Sequence, residues 1–439
     1  MQPTLPEPGL GHFMKRVMDD VTSAGARAAE LLFHSWAGHE LKLRHGRLEA
    51  VERPEGVRLR GRVYLDGGRA AAFSASVADH DLVLDAARKA LERAAAAPED
   101  PLEAPPDRYG LSTRGLGIRD ARFDQLSLAD REEVARMNEE CFDALDGAVC
   151  LGVSYSDSNE IRAFATTRGD FVESPSTRYE VLVRGRSGDG RYELERRAAG
   201  RNFSYVGSLP FGVALGRRLD ALAGETSEHP GEVPLVLEPA VLAWFVARIA
   251  PAFDERAVAA GRSFVTGIGQ PIASYRVHLV DDGRLAGALA TRAFDDRGSP
   301  SMPIPIIKEG LVGALYTDAR SARAQNLRPT GHDHEGELRP TNLVLRPGNR
   351  SRTQMLSEVP VSLRFDHVTG KVDPVAGTVR VEGPAYRMEG SATLGVVHGV
   401  KLKCRIADLL SAVQELANNQ DRTHHVDCAT GLLVGLPVE

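Results

Sequence analysis

Cysteine is scarce in this chain: four in 439 residues, at Cys141, Cys150, Cys404 and Cys428. None forms a C-x-x-C pair, and four thiols so dispersed make no disulfide framework. They read as buried or inert thiols in a reducing compartment. Long apolar runs are missing too. No stretch approaches the roughly 20 residues that span a bilayer. The opening MQPTLPEPGLGHFMKRVMDD has no apolar core of the kind a signal peptide needs. Both absences lead us to expect a cytoplasmic protein without a membrane partner. Basic excess is also lacking. Lys plus Arg total 54 against 60 Asp plus Glu, a net charge of −6. That argues against direct nucleic-acid contact and leaves room only for a local basic patch.

The familiar catalytic signatures are absent as well. There is no G-x-S-x-G nucleophile elbow, and Ser263 in GRSF shows no sign of a nearby base. Neither G-x-x-x-x-G-K-[ST] nor G-x-G-x-x-G occurs; GIGQP at 267–271 is not a phosphate cradle. HELKLRH at 39–45 opens like a metallopeptidase motif, but its second His falls six positions after His39. Its alternation also predicts a strand, and that motif needs a helix.

What is present is a soluble globular composition, 42% hydrophobic and 26% charged. The length predicts two domains. Apolar periodicity predicts a helix over 10–32, then an antiparallel meander with a hairpin at DGG, 66–68. Helices follow over 81–96 and 128–145, strands over 147–201 with a turn at RSGDGR, and a short helix over 212–224. ETSEHPGEVP is polar and Pro/Gly-rich, which sets the domain boundary: 1–228 and 229–439. Beyond it, LVLEP reads as a strand leading into a helix over 239–253. VHLVDDGRLAGALA and IPIIKEGLVGALY read as hairpins, and short helices are expected over 318–326 and 406–417. The fold class is α+β. An N-terminal domain of antiparallel sheet with long helices precedes a mostly antiparallel β domain, barrel-like or sandwich-like, with a few helices.

Two polar clusters could carry chemistry. TGHDHEGE at 330–337 places His332 and His334 two apart, on one side of an extended backbone. HHVDC at 424–428 adds His424 and Cys428. The residue types suit zinc, but neither spacing matches a closed site. A solvated loop accounts for the first cluster better than a metal does. Asp281-Asp282 and Asp295-Asp296 each precede a glycine, and read as turn residues bonding their own backbone. The residues by themselves therefore assign no catalytic and no metal-binding side chain. His332, His334, His424 and Cys428 are the remaining metal candidates.

A resemblance adds to this. GRSFVTG, LVDDGRLAGALATRAFDDRGSP, IPIIKEGLVGALYTDARSARAQNLRPTG and PTNLVLRPG follow one another between 261 and 348. In order and spacing this run resembles the TldD/PmbA family, and the N-terminal meander fits it more loosely. The resemblance implies a zinc metallopeptidase whose active member carries a His-Glu pair and a later His on the first helix of the C-terminal domain. A C-terminal Cys accompanies them. Here that helix is PAVLAWFVARIAPAF, with no His, Glu, Asp or Cys. The chain is thus similar to the TldE/PmbA side, which lacks the motif, and Cys428 has no site to complete.

The expectation that follows is a non-catalytic subunit of a heteromeric peptidase that degrades or trims unfolded or small peptides. No cofactor is expected in this chain; zinc is expected in a TldD-like partner. Self-association when that partner is missing stays open. The strands around 275–316 are expected to offer an edge for an extended peptide or the contact between chains. The alternatives are a subunit of a hydrolase that processes natural-product peptides, and a non-enzymatic binder of the gyrase-modulator type.

Overall fold

Two alternating hydrophobic patterns meet at residue 25. Leu10, Phe13, Met14, Val17, Met18 and Val21 recur at helical spacing and form the buried stripe of α1 (Leu10–Ser23). Gly25, at φ 106°, ends it. The alanine-rich stretch expected to extend this helix to residue 32 instead opens β1 (Ala28–Arg44). There Ala29, Leu31 and Phe33 alternate into the core, so tertiary pairing overrides the helical preference of alanine. The computed structural model describes residues 5–6, 8–105 and 111–439.

β1 is the spine of the N-terminal sheet. After β2 (Arg47–Glu52), β3 (Glu55–Tyr64) and β4 (Ala70–Ala75) come α2 (His80–Ala96) and α3 (Leu128–Glu140). Then follow β5 (Ala148–Thr166), β6 (Phe171–Ser187), β7 (Glu193–Gly200), α4 (Phe203–Gly207) and α5 (Phe211–Leu222). The strand order is β4-β3-β1-β5-β6-β7, with β2 folded back on β1. Every pairing is antiparallel. One face of the sheet is covered at one end by α1 and α2 and at the other by α3, α4 and α5. Inside the second of these cores, Arg131 donates to Asp157 at 2.6 Å and to the Leu126 and Ser127 carbonyls. The Tyr155 hydroxyl also donates to Asp157, at 3.0 Å. A buried charge pair so fully bonded is tolerated rather than costly.

The C-terminal part starts with β8 (Leu235–Leu237), α6 (Pro239–Ile249) and α7 (Glu255–Ala259). It continues through β9 (Leu279–Asp282), β10 (Pro303–Lys308), β11 (Leu311–Val312), α8 (Ala319–Ala324), β12 (Asp333–His334), β13 (Glu337–Leu338), β14 (Leu343–Leu345) and α9 (Arg352–Leu356). β15 (Val361–Phe365), β16 (Thr369–Asp373), β17 (Thr378–Glu389), β18 (Ala392–Arg405) and α10 (Ile406–Ser411) follow. β19 (Val413–Leu416), β20 (Asp421–Thr423), β21 (Val426–Cys428) and β22 (Gly431–Leu433) complete it. One sheet runs β11-β10-β9-β14-β21-β20; the other runs β16-β17-β15-β8-β22-β19, with β18 on β17. α6 packs against strands of both sheets, and the three share one core. The domain is therefore sandwich-like and no barrel closes.

Three local expectations change. The helix expected over 406–417 ends at Ser411, and the rest is β19. VHLVDDGRLAGALA is no hairpin, because β9 takes its partners from β10 and β14. The outer side of β11 is not a free edge. Gly269 and Ile272 donate to the Val312 and Gly310 carbonyls, and Val312 donates to Gln270. The β10–β11 hairpin itself forms as the sequence predicts.

The two domains interlock through the turn at 294–298, on the face of the N-terminal sheet that the helices leave open. Phe294 and Phe164 pack with ring centroids 5.9 Å apart, in a cluster with Leu32, Leu116 and Ile118. Arg297 donates to Glu30 and, at 2.6 Å, to the Tyr64 hydroxyl. Asp296 accepts from Arg60 at 3.2 Å and from Arg162 at 2.6 Å. Gly298 has φ 74°, and a Cβ there would lie 2.3 Å from the Phe164 ring. We expect Gly298→Ala to lower stability by about 2 to 5 kcal/mol, from left-handed strain and overpacking together. Urea unfolding reads this directly; a loss below about 0.5 kcal/mol, the range of ordinary surface changes, would refute the docking role of the turn.

Candidate functional site

The first half of the chemically loaded octet TGHDHEGE, residues 330–333, is buried at the domain interface, while Glu335, Gly336 and Glu337 at its far end are exposed. Its central residues form the β12–β13 hairpin. The backbone N–H of Asp333 donates to the Asp295 carboxyl at 3.1 Å, and that of Glu335 donates to Asp296 at 3.0 Å. Glu335 is bound by Arg58 and Arg60 of β3. His332 and His334 do not share a site. The His332 ring is fully buried, lies 4.5 Å from the Tyr316 ring, and approaches Asp281 at 3.4 Å. That contact is too long and poorly aimed for a good hydrogen bond. His334 lies 3.5 Å from Asp296 instead. The solvated-loop reading is therefore corrected for residues 330–333, which turn inward, and holds for the exposed tip at 335–337; carboxylates already in place receive the Asp333 and Glu335 N–H groups.

The paired aspartates divide the same way. Asp282 and Asp295 do bond nearby backbone, at Arg284, Arg297 and Ser299. Asp281 is different. It is buried and accepts from the Tyr316 hydroxyl at 2.9 Å and from the Thr341 backbone and hydroxyl. Its carboxyl is lowered: burial opposes this, but His332 and Thr341 favour the charged form. Asp296 is likewise held as a carboxylate by His334 and Arg162. Asp295 goes the other way. Burial, then the Asp333 carboxyl, push it up to about 7, against the opposing effect of Arg292. Turn chemistry alone predicted the local bonds; the sequence carried no sign of the long-range ones.

Beside this hairpin runs a groove of about 710 Å³, walled by Arg60, Arg62, Phe73 and Lys89 on one side and Asp296, Arg297 and Glu335 on the other. A smaller recess next to it holds His34, Trp36, Arg162 and His334. The side chains are charged and paired. They suit polar contact with a chain laid across the sheet, and none is placed as a nucleophile with a base.

The second cluster does not assemble a metal site either. Cys428 is buried in β21, within the core shared with α6, and burial raises its thiol far above the usual range. A thiol so placed stays protonated and is inert as a ligand. Burial lowers His424 and His425 below the ordinary imidazole value. On α6, Val241, Leu242, Ala243, Phe245, Val246 and Ile249 are all buried in apolar contact. Trp244 is capped by Arg248, whose guanidinium carbon lies 3.8 Å from its ring centroid. The helix has no side chain that could bind zinc, so the residues present do not fit that ion. Among the described residues, no three His, Cys, Asp or Glu side chains gather in metal-binding geometry.

With this geometry in hand, comparison with known proteins is informative. Residues 230–438 match the family model described as the PmbA/TldA metallopeptidase C-terminal domain. Residues 230–438 belong to the TldD/PmbA family. A metalloprotease of Methanocaldococcus jannaschii is 24% identical over 284 residues, 61% of this chain and 62% of that protein. A metalloprotease TldD homolog of Haemophilus influenzae is 26% identical over 170 residues, 37% of this chain and 35% of that one. The chain thus spans less than two thirds of either relative. TldE from Thermococcus kodakarensis shares the fold at TM-score 0.86 and 16% identity, covering 97% of this chain and 99% of that one. A Thermotoga maritima protein described as a candidate DNA-gyrase modulator also superposes at TM-score 0.86, with 20% identity over 98% of this chain and 99% of that one.

The raised Asp295 carboxyl makes stability fall with pH. The folded group titrates near 7, against about 4 in an unfolded chain. The folded state therefore binds the extra proton between those values, and stability declines as pH rises through them. Asp333→Asn removes the neighbouring charge, so the decline should shift to lower pH. Urea midpoints measured from pH 4 to 8 check this; identical profiles for the two proteins would sink the assignment.

Proposed function

We propose that this chain is the non-catalytic, TldE-like subunit of a two-chain zinc metallopeptidase that acts on unfolded or small peptides. The observation that carries the reading is α6. In the family the corresponding helix supplies zinc ligands and the base, whereas here its buried positions are Val241, Leu242, Phe245, Val246 and Ile249. Apolar side chains there stabilise the sandwich and bind no ion, so the metal belongs to a second, TldD-like chain that keeps the His-Glu pair. Relatives described as metalloproteases support the peptidase context.

This chain's contribution is then surface and shape. The wide N-terminal sheet offers the paired, charged groove beside β12–β13, and its outer strands β4 and β7 are each hydrogen-bonded within the sheet on one side only. An extended peptide can add to such an edge through main-chain bonds without demanding a sequence. Ile268, Tyr275 and Leu311 are exposed around the β10–β11 hairpin. They give that region an apolar surface suited to a second chain rather than to a peptide strand.

Purified alone, the chain is expected to hold no stoichiometric zinc and to cleave no unfolded peptide. Mixed with a family member that carries the His-Glu motif, it should co-elute with that chain and raise its rate of peptide hydrolysis. Peptidase activity of the isolated chain, or stoichiometric zinc lost on His332→Ala, would overturn the reading. Failure to associate with any such partner would favour a stand-alone binding role.

A further inference from the structure

A second cavity, of about 500 Å³, lies where β7 and α5 of the N-terminal domain face the start of α6, β15, β17 and β20. It is built of arginine. Arg196, Arg197, Arg217, Arg218, Arg364 and Arg422 all line it, against the carboxylates Glu195, Glu238, Asp366 and Asp421. Several of these charges are already matched. Arg218 pairs with Asp366 at 3.6 Å, Arg364 lies 3.9 Å from Glu238, and Arg197 and Arg422 turn to Glu180 and Asp427. Arg196 and Arg217 make no ion pair among the described residues. Arg196 lies over the Phe211 ring, 5.9 Å from its centroid, and burial lowers its affinity for its proton.

Two further features point to a ligand. Pro239 and Ala240, in the first turn of α6, form part of the wall. Pro239 has no N–H, and the Val241 and Leu242 N–H groups already donate to the Glu238 carbonyl, so it is the positive end of the helix dipole that favours a negative charge there. The Glu238 carboxylate at that helix start is itself engaged by Arg352 and Thr430. Tyr386, 2% exposed, also lines the cavity, and its hydroxyl has no hydrogen-bond partner. The Arg364 guanidinium stacks on the Tyr386 ring at 4.5 Å, and its Nε also lacks a partner. Buried donors left unbonded are destabilising, and a matching acceptor recovers that loss.

We propose that this pocket binds the carboxylate at the C-terminal end of an extended peptide. Arg196, Arg217 and Tyr386 contact the carboxylate, and β7 receives the peptide backbone. A single carboxylate fits the balance better than phosphate does, since four acidic side chains share the wall and would repel a second negative charge. An edge strand directly beside the pocket favours a peptide over a free dicarboxylate. The word peptide rests on the peptidase-subunit reading; the anion site does not.

The test uses the isolated full chain and calorimetry with N-acetyl-trialanine as the free acid, its C-terminal amide, the amide of N-acetyl-Ala-Glu-Ala, succinate and inorganic phosphate. The free acid should bind roughly tenfold tighter than its amide, the difference that a charge-assisted hydrogen bond makes. Tyr386→Phe should weaken the acid and leave the amide unchanged. Arg217→Met, at an exposed position, should do the same and serves if Tyr386→Phe fails to fold. Equal binding of acid and amide would overturn the proposal. So would preference for phosphate or succinate, or a match between the internal glutamate peptide and the free acid. If the acid binds as expected while no catalytic partner is activated, the pocket stands and the subunit reading falls. If activation survives Tyr386→Phe and Arg217→Met with no selectivity for the acid, the reverse holds.

Discussion

The structure depends on one insertion: five residues of the C-terminal domain, Phe294 to Gly298, wedged against the open face of the N-terminal sheet. The wedge combines an aromatic contact with two charge pairs that solvent barely reaches, Arg297 with Glu30 and Asp296 with Arg162. Such pairs cost desolvation energy and repay it only in good geometry, so they fix orientation more than they add stability. The β12–β13 hairpin and its groove inherit that orientation, because its N–H groups bond the same two aspartates. The groove and the arginine pocket thus belong to the docked pair of domains, not to either one.

On the proposed subunit reading, what separates this chain from a zinc peptidase is local. α6 occupies the centre of the sandwich, touching strands of both sheets. A His or Glu at its buried positions would need a metal or a partner to offset its desolvation. Val246 and Phe245 need neither. An apolar α6 therefore needs no ion to close the core between the two sheets. The fold as a whole superposes on solved structures at TM-score 0.86 despite low sequence identity.

The sequence disclosed the elements better than their meetings. Period and turn chemistry located α2, α5, the β5–β7 strands and the β10–β11 hairpin within a few residues. They failed at 26–32 and 413–416, where helix-compatible sequence is recruited into sheets by partners far along the chain. For the site, the lack of His, Glu, Asp and Cys on α6 was legible because an absence on one helix is a local fact. The fate of His332 was not, because burial against Tyr316 and Asp281 depends on residues 16 and 51 positions away. The arginine pocket was invisible for the same reason: its lining comes from segments between 195 and 424.

The position of β1 bears on how the chain is made. It is the second element synthesised, yet its pairing with β5 joins Glu30 to Thr166 and Leu43 to Val153. While the ribosome adds the intervening segment, one side of a long strand with an apolar face has no neighbour. At about 5 to 20 residues per second that interval lasts several seconds, far longer than hairpin formation. Pairings this distant in sequence are slow to form even in a finished chain. An unpaired strand of this kind also templates association with other copies. The central strand of the sheet is therefore the segment that nascent-chain chaperones have most reason to cover.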